Sequence, residues 1–502
     1  MITRRLLTTL LASATLSGSA FAADLRIGLQ EDPDVLDPDQ SRTFVGRIVY
    51  TSLCDKLVDI TPDLEFVPQL ATEWSWSEDG RQLTMQLRED ATFHDGTPFN
   101  AEAVVANIDR SQNLPESRRQ SELASVESVE ATGEFEVVFN LNNPDATLLA
   151  QLSDRAGMMI SPTAAEELGL DLANNPVCSG PYKFVERIQQ DRIVLEKFAE
   201  HWNADNYHFD TLTYLPIPDT TVRLANLQSG DIDMLERLAP TDAPAVQGDD
   251  GLIYEQIVGL GYQAMTVNID NGANGDNPFG NEAKIRQAFS LAIDRNAINE
   301  VVFQNTAEPG NQHVPPSSPW YVQDFPVPER DIEAARALLD EVGVDRMAVE
   351  VQVPNTPVQL QLMQVVQSMV AEAGFDVSLK ATEFASMLSA QTAGDYQVSQ
   401  VGWSGRTDPD GNLHQFVTCE GGINDSKFCD EEVDRLLNAA RETNDIEERK
   451  ALYAEAQAIL NEQLPIIYLY HPSWIWALDS SIEGFVAYPD GMIRLENVTM
   501  AE

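Results

Sequence analysis

Nucleophile-like residues occur in two short segments, but neither segment carries a complete catalytic set. Gly402-Trp403-Ser404-Gly405-Arg406 follows the Gly-x-Ser-x-Gly pattern of a nucleophile elbow up to its last position, where Arg stands in place of Gly. Ser179 lies in a Cys-Ser-Gly segment with no evident base. No glycine-rich phosphate loop and no dinucleotide fingerprint occurs. The sequence therefore favours a binding protein over the alternative, a secreted hydrolase or enzyme subunit, and predicts no cofactor.

The four cysteines have the chemistry of disulfides more than of a metal site. No Cys-x-x-Cys pair occurs, and no His lies at zinc-ligand spacing from a pair of cysteines. An even number of cysteines in an exported chain indicates disulfides, and three pairings are possible. Cys419 and Cys429 enclose a short polar loop that is easily closed, and Cys54 and Cys178 would then close a long one. We predict these two disulfides and no metal site.

The N-terminus has the features of a secretory signal. Arg4 and Arg5 precede an apolar run over residues 6–16, and Ala20-Phe21-Ala22 offers a small-x-small cleavage site. The apolar run is too short to cross a membrane as a helix. We therefore expect a signal peptide over residues 1–22, removed after Ala22, and a periplasmic protein.

The chain is strongly acidic, which bears on its partners. It carries 80 Asp and Glu against 32 Lys and Arg, a formal net charge of −48. Such a surface repels phosphate backbones and anionic lipid headgroups, so nucleic acid is excluded as a partner. The acidic residues are spread along the sequence, which is typical of a solvated surface and does not indicate a cationic ligand.

The elements that must position these residues form a mixed pattern. Residues 65–175 are β-rich. Apolar and polar residues alternate from Trp74 into a turn at Asp79-Gly80, and Asn100 can cap a helix that follows it. From about Met265 onwards, helices alternate with strands, which predicts βαβ units and a largely parallel sheet.

One long helix is expected in this second half. Asn281 can cap a helix that runs to Phe303, with an apolar face formed by Ile285, Phe289, Ala292 and Val301. Several α/β units in one exported chain make a cleft between lobes the default ligand site.

Four segments in order resemble one family. They read ATFHDGTPFNAEAVV from Ala91, CSGPYKF from Cys178, NEAKIRQAFSLAIDRNAINEVVF from Asn281 and GWSGRTDPDGN from Gly402. Together they closely resemble the bacterial extracellular solute-binding proteins of family 5, which include dipeptide-, oligopeptide-, glutathione- and nickel-binding proteins. The likeness runs from about Ala23 to Val498.

The resemblance implies an α/β, bilobed periplasmic binding protein of type II, cluster C-like, with a β-rich subdomain inserted in lobe I. Lobe I would comprise residues 23–64, 176–265 and 478–502, the insertion residues 65–175, and lobe II residues 266–477. The resemblance also implies an ABC permease and ATPase as partners, a monomeric state, and a disulfide between Cys419 and Cys429.

The resemblance places the segment after Trp403 in the cleft, where its backbone pairs with a peptide ligand as an added strand. In the peptide-binding members an acidic side chain there holds the ligand's ammonium group. This chain is one residue shorter, so Arg406 falls at that position. A second departure follows Pro357, where dipeptide binders carry an Arg and this chain reads Val-Gln-Leu-Gln.

We therefore predict ligand binding by Trp403, Ser404, Gly405, Arg406 and Asp408. Arg406 would hold an anionic group through its guanidinium fork and Asp408 a cationic one. Trp403 would supply an apolar wall or a cation–π face. The ligand would be an acidic or zwitterionic peptide or peptide-like solute, with a nickel-type metal chelate or a sugar- or opine-like solute as the alternative. In a different interpretation, Arg406 and Asp408 pair with each other or cap the Asp-Pro turn.

Overall fold

The structure, a computed structural model, describes residues 24–41 and 43–501. The predicted signal peptide lies outside the described residues. None of the helices in these two ranges is both long and apolar enough to cross a membrane.

The helices and strands alternate along the chain, with the strands gathered into three larger sheets. The helices are α1 Phe44–Leu53, α2 Ala101–Asn113, α3 Leu148–Leu152, α4 Pro162–Leu168, α5 Thr220–Ser229, α6 Ala243–Gln247, α7 Pro278–Asn281, α8 Ala283–Leu291, α9 Arg295–Phe303, α10 Ile332–Glu341, α11 Pro357–Ala371, α12 Phe384–Thr392, α13 Asp410–Val417, α14 Glu431–Glu442 and α15 Ile446–Gln463. The strands are β1 Asp24–Leu29, β2 Val58–Ile60, β3 Phe66–Pro68, β4 Ala71–Trp76, β5 Gln82–Leu87, β6 Val126–Gly133, β7 Glu136–Leu141, β8 Tyr182–Ile188, β9 Arg192–Lys197, β10 Thr211–Pro216, β11 Met234–Leu235, β12 Leu252–Val258, β13 Tyr262–Val267, β14 Glu308–Pro309, β15 Met347–Pro354, β16 Phe375–Thr382, β17 Val398–Trp403, β18 Ile466–His471, β19 Ser473–Asp479, β20 Ile482–Glu483 and β21 Thr499–Met500.

Lobe I is the part built on a seven-stranded sheet with the order β12-β19-β11-β1-β10-β9-β8. Strand β1 alternates polar and apolar residues, so Leu25, Ile27 and Leu29 all point into the core. It runs parallel to β10 and β11, while the strands towards both edges are antiparallel.

Lobe II is the part built on a six-stranded sheet with the order β14-β18-β13-β17-β15-β16. Strands β15 and β16 are parallel and are joined by α11, as predicted for a βαβ unit. Val349, Val351 and Val353 of β15 are buried against this helix layer. The predicted alternation of helices and strands in this half is confirmed. The prediction of a largely parallel sheet is wrong, because β14, β18, β13 and β17 pair antiparallel and only β17, β15 and β16 are parallel neighbours.

The β-rich block forms a four-stranded antiparallel sheet, β4-β5-β7-β6, with α2 beside it and its own apolar core. Strands β4 and β5 form the predicted hairpin, and Gly80 in their turn has φ +66°. Asn100 caps α2 as predicted, since its side chain accepts a hydrogen bond from the Ala103 amide at 3.0 Å.

The chain crosses between the two lobes twice, through residues 259–261 and through Pro472. The two crossings touch, because the Gly259 amide donates to the Pro472 carbonyl at 2.9 Å. The boundaries predicted after Met265 and before Leu478 are therefore misplaced. They fall inside β13, which pairs with β17 and β18 in lobe II, and inside β19, which pairs with β12 in lobe I.

The single helix predicted from Asn281 to Phe303 is wrong, because the chain forms two helices here. Helix α8 ends at Leu291, and Asp294 caps α9 by accepting a hydrogen bond from the Ala297 amide at 2.9 Å. Phe289 is buried as expected, whereas Val301 is 59% exposed on the second helix.

Both predicted disulfides are present. Cys54 is bonded to Cys178 across a sequence separation of 124 residues, and Cys419 to Cys429 across 10. The first joins the end of α1 to the segment before β8 within lobe I. The second closes the loop between α13 and α14 in lobe II.

Candidate functional site

The segment after Trp403 lies against the first crossing between the lobes. Gly405 has φ +88°, and a Cβ atom there would lie 2.3 Å from the Leu260 carbonyl carbon. A Cβ atom on Gly261 would lie 2.0 Å from the Trp403 carbonyl oxygen. Both positions therefore need glycine, because the two backbones approach too closely for a side chain. This contact brings Ser404 and its neighbours to the junction of the lobes.

One amide side chain, that of Asn412 at the start of α13, fixes the shape of this segment. Its oxygen accepts hydrogen bonds from the Arg406 amide at 2.7 Å and from Trp403 Nε1 at 3.0 Å. Its nitrogen donates to the Arg406 carbonyl at 3.1 Å. Asn412 is buried, and no pattern in the sequence distinguishes it from a solvent-exposed helical residue.

A cleft of about 360 Å³ opens at this junction, within the usual range for small-ligand pockets. Lobe I, the first crossing and lobe II all contribute to its walls. Arg406 borders the cleft, whereas Trp403, Ser404, Gly405 and Asp408 are not among the residues that line it. Other lining residues are Asp63, Leu64, Gly259, Leu260, Ser317, Trp320 and Pro489.

The ring of Trp403 is engaged within the protein. The Arg406 guanidinium lies over the ring at 4.5 Å from its centroid, and Phe416 meets it edge-on at 5.1 Å. The cation–π contact predicted for a ligand ammonium is therefore made by Arg406 on one face of the ring. Trp403 orients the arginine that borders the cleft.

Asp408 does not have the geometry of a cation clamp. Its two carboxylate oxygens accept hydrogen bonds from Arg449 of α15 at 2.7 and 2.8 Å, in a fork-to-fork pair. Asp408 is 9% exposed and Arg449 5%. The predicted role in holding a ligand cation is wrong for this geometry, because the carboxylate is already neutralised by a buried guanidinium.

Arg406 does not pair with Asp408, so that part of the alternative interpretation is wrong. Asp408 does cap the Asp-Pro turn, because its Oδ1 accepts a hydrogen bond from the Asp410 amide at 3.0 Å. The carboxylate nearest to Arg406 is Asp154 of lobe I, with 3.9 Å between Arg406 Nε and Asp154 Oδ2. This distance is too long for a hydrogen bond and leaves an electrostatic contact across the junction of the lobes. One guanidinium nitrogen donates to the Gly405 carbonyl at 2.8 Å.

Three further arginines, which the sequence did not single out, surround the same carboxylate. Arg47 of α1 makes a fork with Asp154 at 3.0 and 2.9 Å. Arg155 follows Asp154 in the chain, and Arg119 comes from the loop after α2. We call Arg47, Arg119, Arg155 and Arg406 the arginine cluster.

The pKa values within the arginine cluster reflect crowding of positive charge in a buried place. Burial, together with the nearby charge of Arg119, lowers the pKa of Arg155 to about 9. Burial also lowers the pKa of Arg406, against an opposing effect of Asp154. Burial alone would raise the pKa of Asp154, but the guanidiniums of Arg47 and Arg155 hold it well below its usual range. Asp154 is therefore ionised at neutral pH.

Within residues 24–41 and 43–501, no three His, Cys, Asp or Glu side chains lie together in a way that could hold a metal ion. The arginine cluster thus lies where the two α/β lobes meet. This is the architecture of a bilobed periplasmic binding protein, which confirms the predicted fold class.

Comparisons with known proteins identify the family. The model of the bacterial extracellular solute-binding proteins, family 5 Middle, matches residues 65–424. The dipeptide-binding protein of Escherichia coli K12 is 27% identical over 98% of this chain and 97% of its own length. The glutathione-binding protein of Pectobacterium atrosepticum is 28% identical over 93% of this chain and 92% of its own length.

Solved structures agree on the fold. A dipeptide-binding protein from a Pseudoalteromonas species, in complex with Met-Leu, has a TM-score of 0.82 at 23% identity, covering 95% of this chain and 100% of that one. An ABC transporter substrate-binding protein of Listeria monocytogenes has a TM-score of 0.86 at 23% identity, covering 96% and 100%. The chain belongs to the family 5 extracellular solute-binding proteins, and the predicted class, a solute-binding protein of ABC importers, is confirmed at the level of the family.

Proposed function

We propose that this protein captures an acidic or zwitterionic peptide, or a peptide-like solute, in the cleft between its lobes. It acts as a monomer in the periplasm and delivers the solute to an ABC permease and its ATPase. Two relatives, a dipeptide-binding protein and a glutathione-binding protein, support a peptide-like ligand. They are binding proteins, which supports capture without chemical conversion.

The observation that carries the anionic part of the proposal is the position of Arg406. Its guanidinium borders the cleft, is mostly buried, and reaches its nearest carboxylate only at 3.9 Å. An arginine with such a weak partner can form a charged fork with a ligand carboxylate. This local positive charge sits in a chain whose formal net charge is −48, so it is not a consequence of overall composition.

Tryptophan fluorescence titrations with short acidic peptides test the proposal. The intact protein should show saturable binding with no product in the recovered peptide. Arg406→Ala should weaken binding by roughly 10- to 100-fold, since a charged hydrogen bond contributes about 1.5–3 kcal/mol. The matched control is Arg435→Ala, which removes an exposed arginine of α14 that pairs with Glu432, and it should leave binding unchanged. Peptide cleavage, or binding that a chelator abolishes, would contradict the proposal.

A further inference from the structure

The β-rich block, residues 65–175, is bonded to lobe I through its backbone. The Leu57 amide of lobe I donates to the Gly157 carbonyl at 2.9 Å, and the Met159 amide donates to the Asp55 carbonyl at 3.0 Å. Leu57 and Val58 also pack in the apolar core of the block. Because backbone bonds and a shared core join the two parts, the block moves together with lobe I.

Helix α14 belongs to lobe II and ends with carbonyl groups that need partners from outside the helix. Val433 and Leu436 pack in one core with Tyr262 of β13. The last carbonyls of an α-helix have no partner within the helix. The Arg441 carbonyl is one of these, since the helix ends at Glu442.

The partner of this carbonyl comes from the β-rich block. The Ala146 amide, in the segment before α3, donates to the Arg441 carbonyl at 2.8 Å. Asp145 is buried and fixes the shape of this segment, because its carboxylate accepts from the Thr147 amide at 2.8 Å and from the Ser125 hydroxyl at 2.6 Å. A direct backbone hydrogen bond therefore joins the two lobes at a place outside the crossings of the chain.

A second contact accompanies this hydrogen bond. A Cβ atom on Gly80, in the turn between β4 and β5, would lie 3.2 Å from Pro144 Cβ and 4.0 Å from Asn444 Nδ2. Asn444 follows α14 in lobe II. The turn at Gly80 therefore packs on the segment of Ala146 and reaches the same end of α14.

The charges at this end of α14 favour the contact. Arg441 forms a fork with Asp410, and both hydrogen bonds are 2.7 Å long. Burial alone would lower the pKa of Arg441, but Asp410 and, more weakly, Asp145 raise it. Asp145 of the β-rich block therefore attracts a guanidinium of lobe II across the junction.

We infer that the β-rich block is a latch that holds the two lobes closed, formed by residues 144–146 and the turn at Gly80 against the end of α14. Since the block moves with lobe I, rotation of the lobes about the crossings would separate Ala146 from Arg441. The latch therefore exists only in the closed arrangement, and a contact made in one of two arrangements shifts the equilibrium towards that one. It lets the lobes close before a solute binds. The inference goes beyond the proposed function, because it does not depend on which solute is captured.

Single-molecule FRET on the solute-free protein measures the ratio of closed to open molecules. Bound solute is removed by unfolding and refolding with both disulfides intact. Dyes are attached to Glu127→Cys in the β-rich block and to Glu455→Cys in lobe II, two exposed positions, while the native cysteines are held in the disulfides. We expect a measurable closed population in this solute-free protein.

Removing the donor of the interlobe hydrogen bond tests the latch. Ala146→Pro has no N–H group to donate to the Arg441 carbonyl. It should lower the ratio of closed to open molecules by roughly 2- to 12-fold, the range for one hydrogen bond. The matched control is Ala146→Gly, which keeps the N–H group and should retain the ratio of the unmodified protein.

A second variant decides the question if Ala146→Pro does not fold. Asn444 is exposed, so Asn444→Trp leaves the core of lobe II intact but places a large side chain where the turn at Gly80 approaches. It should lower the ratio of closed to open molecules by roughly fivefold or more, as overpacking does. Asp340→Trp, at an exposed position of α10, is its matched control and should keep the ratio.

The outcomes separate the latch from the proposed function. An unchanged ratio in folded Ala146→Pro, or in Asn444→Trp if the first variant does not fold, would overturn the latch. The absence of closed molecules without solute would also overturn it. Both results would leave solute capture standing, because a solute can bridge the lobes by itself. A lowered ratio, combined with unchanged peptide affinity in Arg406→Ala, would support the latch and overturn the anionic part of the proposed function.

Discussion

Replacing Asp408 by Asn would leave the guanidinium of Arg449 buried without its carboxylate. Breaking a buried ion pair by removing one partner costs about 3–5 kcal/mol. Arg449 keeps the Ala440 carbonyl at 3.0 Å, the Tyr453 hydroxyl at 3.2 Å and the face of Trp320 at 5.0 Å. We therefore expect a loss at the lower end, about 3 kcal/mol. For a lobe that unfolds as one unit, this loss lowers the unfolding midpoint by roughly 6–12 °C.

Thermal unfolding followed by circular dichroism, together with peptide binding well below the midpoint, measures both effects. The double variant Asp408→Asn with Arg449→Met should be more stable than Asp408→Asn alone, because it no longer buries an unpaired charge. Arg435→Gln is the exposed control, since its pair with Glu432 contributes little. An unchanged midpoint in Asp408→Asn combined with a loss of ligand affinity would refute the structural role of Asp408 and restore it as a ligand clamp.

Buried histidines and the two disulfides give two further predictions on stability. Burial lowers the pKa of His313 and of His471 to about 4, against about 6.5 in the unfolded chain. Below pH 6.5 the unfolded chain therefore binds more protons than the folded chain. As the pH is lowered from 6.5 to 4, the free energy of unfolding should fall by about 1.4 kcal/mol per pH unit for each histidine. His313→Gln should flatten this dependence in urea unfolding, and an unchanged slope would contradict the reasoning. Replacing Cys54 and Cys178 by serines should lower the free energy of unfolding by about 5 kcal/mol, and replacing Cys419 and Cys429 should lower it by about 3 kcal/mol, because the first disulfide closes a much longer loop. The reverse order in urea unfolding would contradict this account.

Local sequence signals predicted the fold where the structure depends on local contacts. The hairpin at Gly80 and the cap at Asn100 are set by a few adjacent residues, and both are confirmed. The prediction of one helix from Asn281 to Phe303 failed because the apolar spacing continues across the break at Asp294. A periodic pattern cannot show that an aspartate inside it has become the cap of a new helix.

The site was less predictable because its charges come together from distant parts of the chain. Arg406 was found through the resemblance, whereas Arg47 lies 107 residues from Asp154, and no local motif connects them. The partner of Asp408 is 41 residues away, on a helix rich in charged residues that would be expected in solvent. Only the packing of the lobes distinguishes these arginines from the many charged residues of the surface.

Native mass spectrometry of the protein as purified, followed by denaturing release of whatever it carries, tests the central claim most directly. The account predicts a small solute with acidic groups, which Arg406→Ala no longer retains. A neutral sugar, a dipeptide without an acidic side chain, or a metal chelate retained equally by Arg406→Ala would contradict capture of an anionic ligand at this junction.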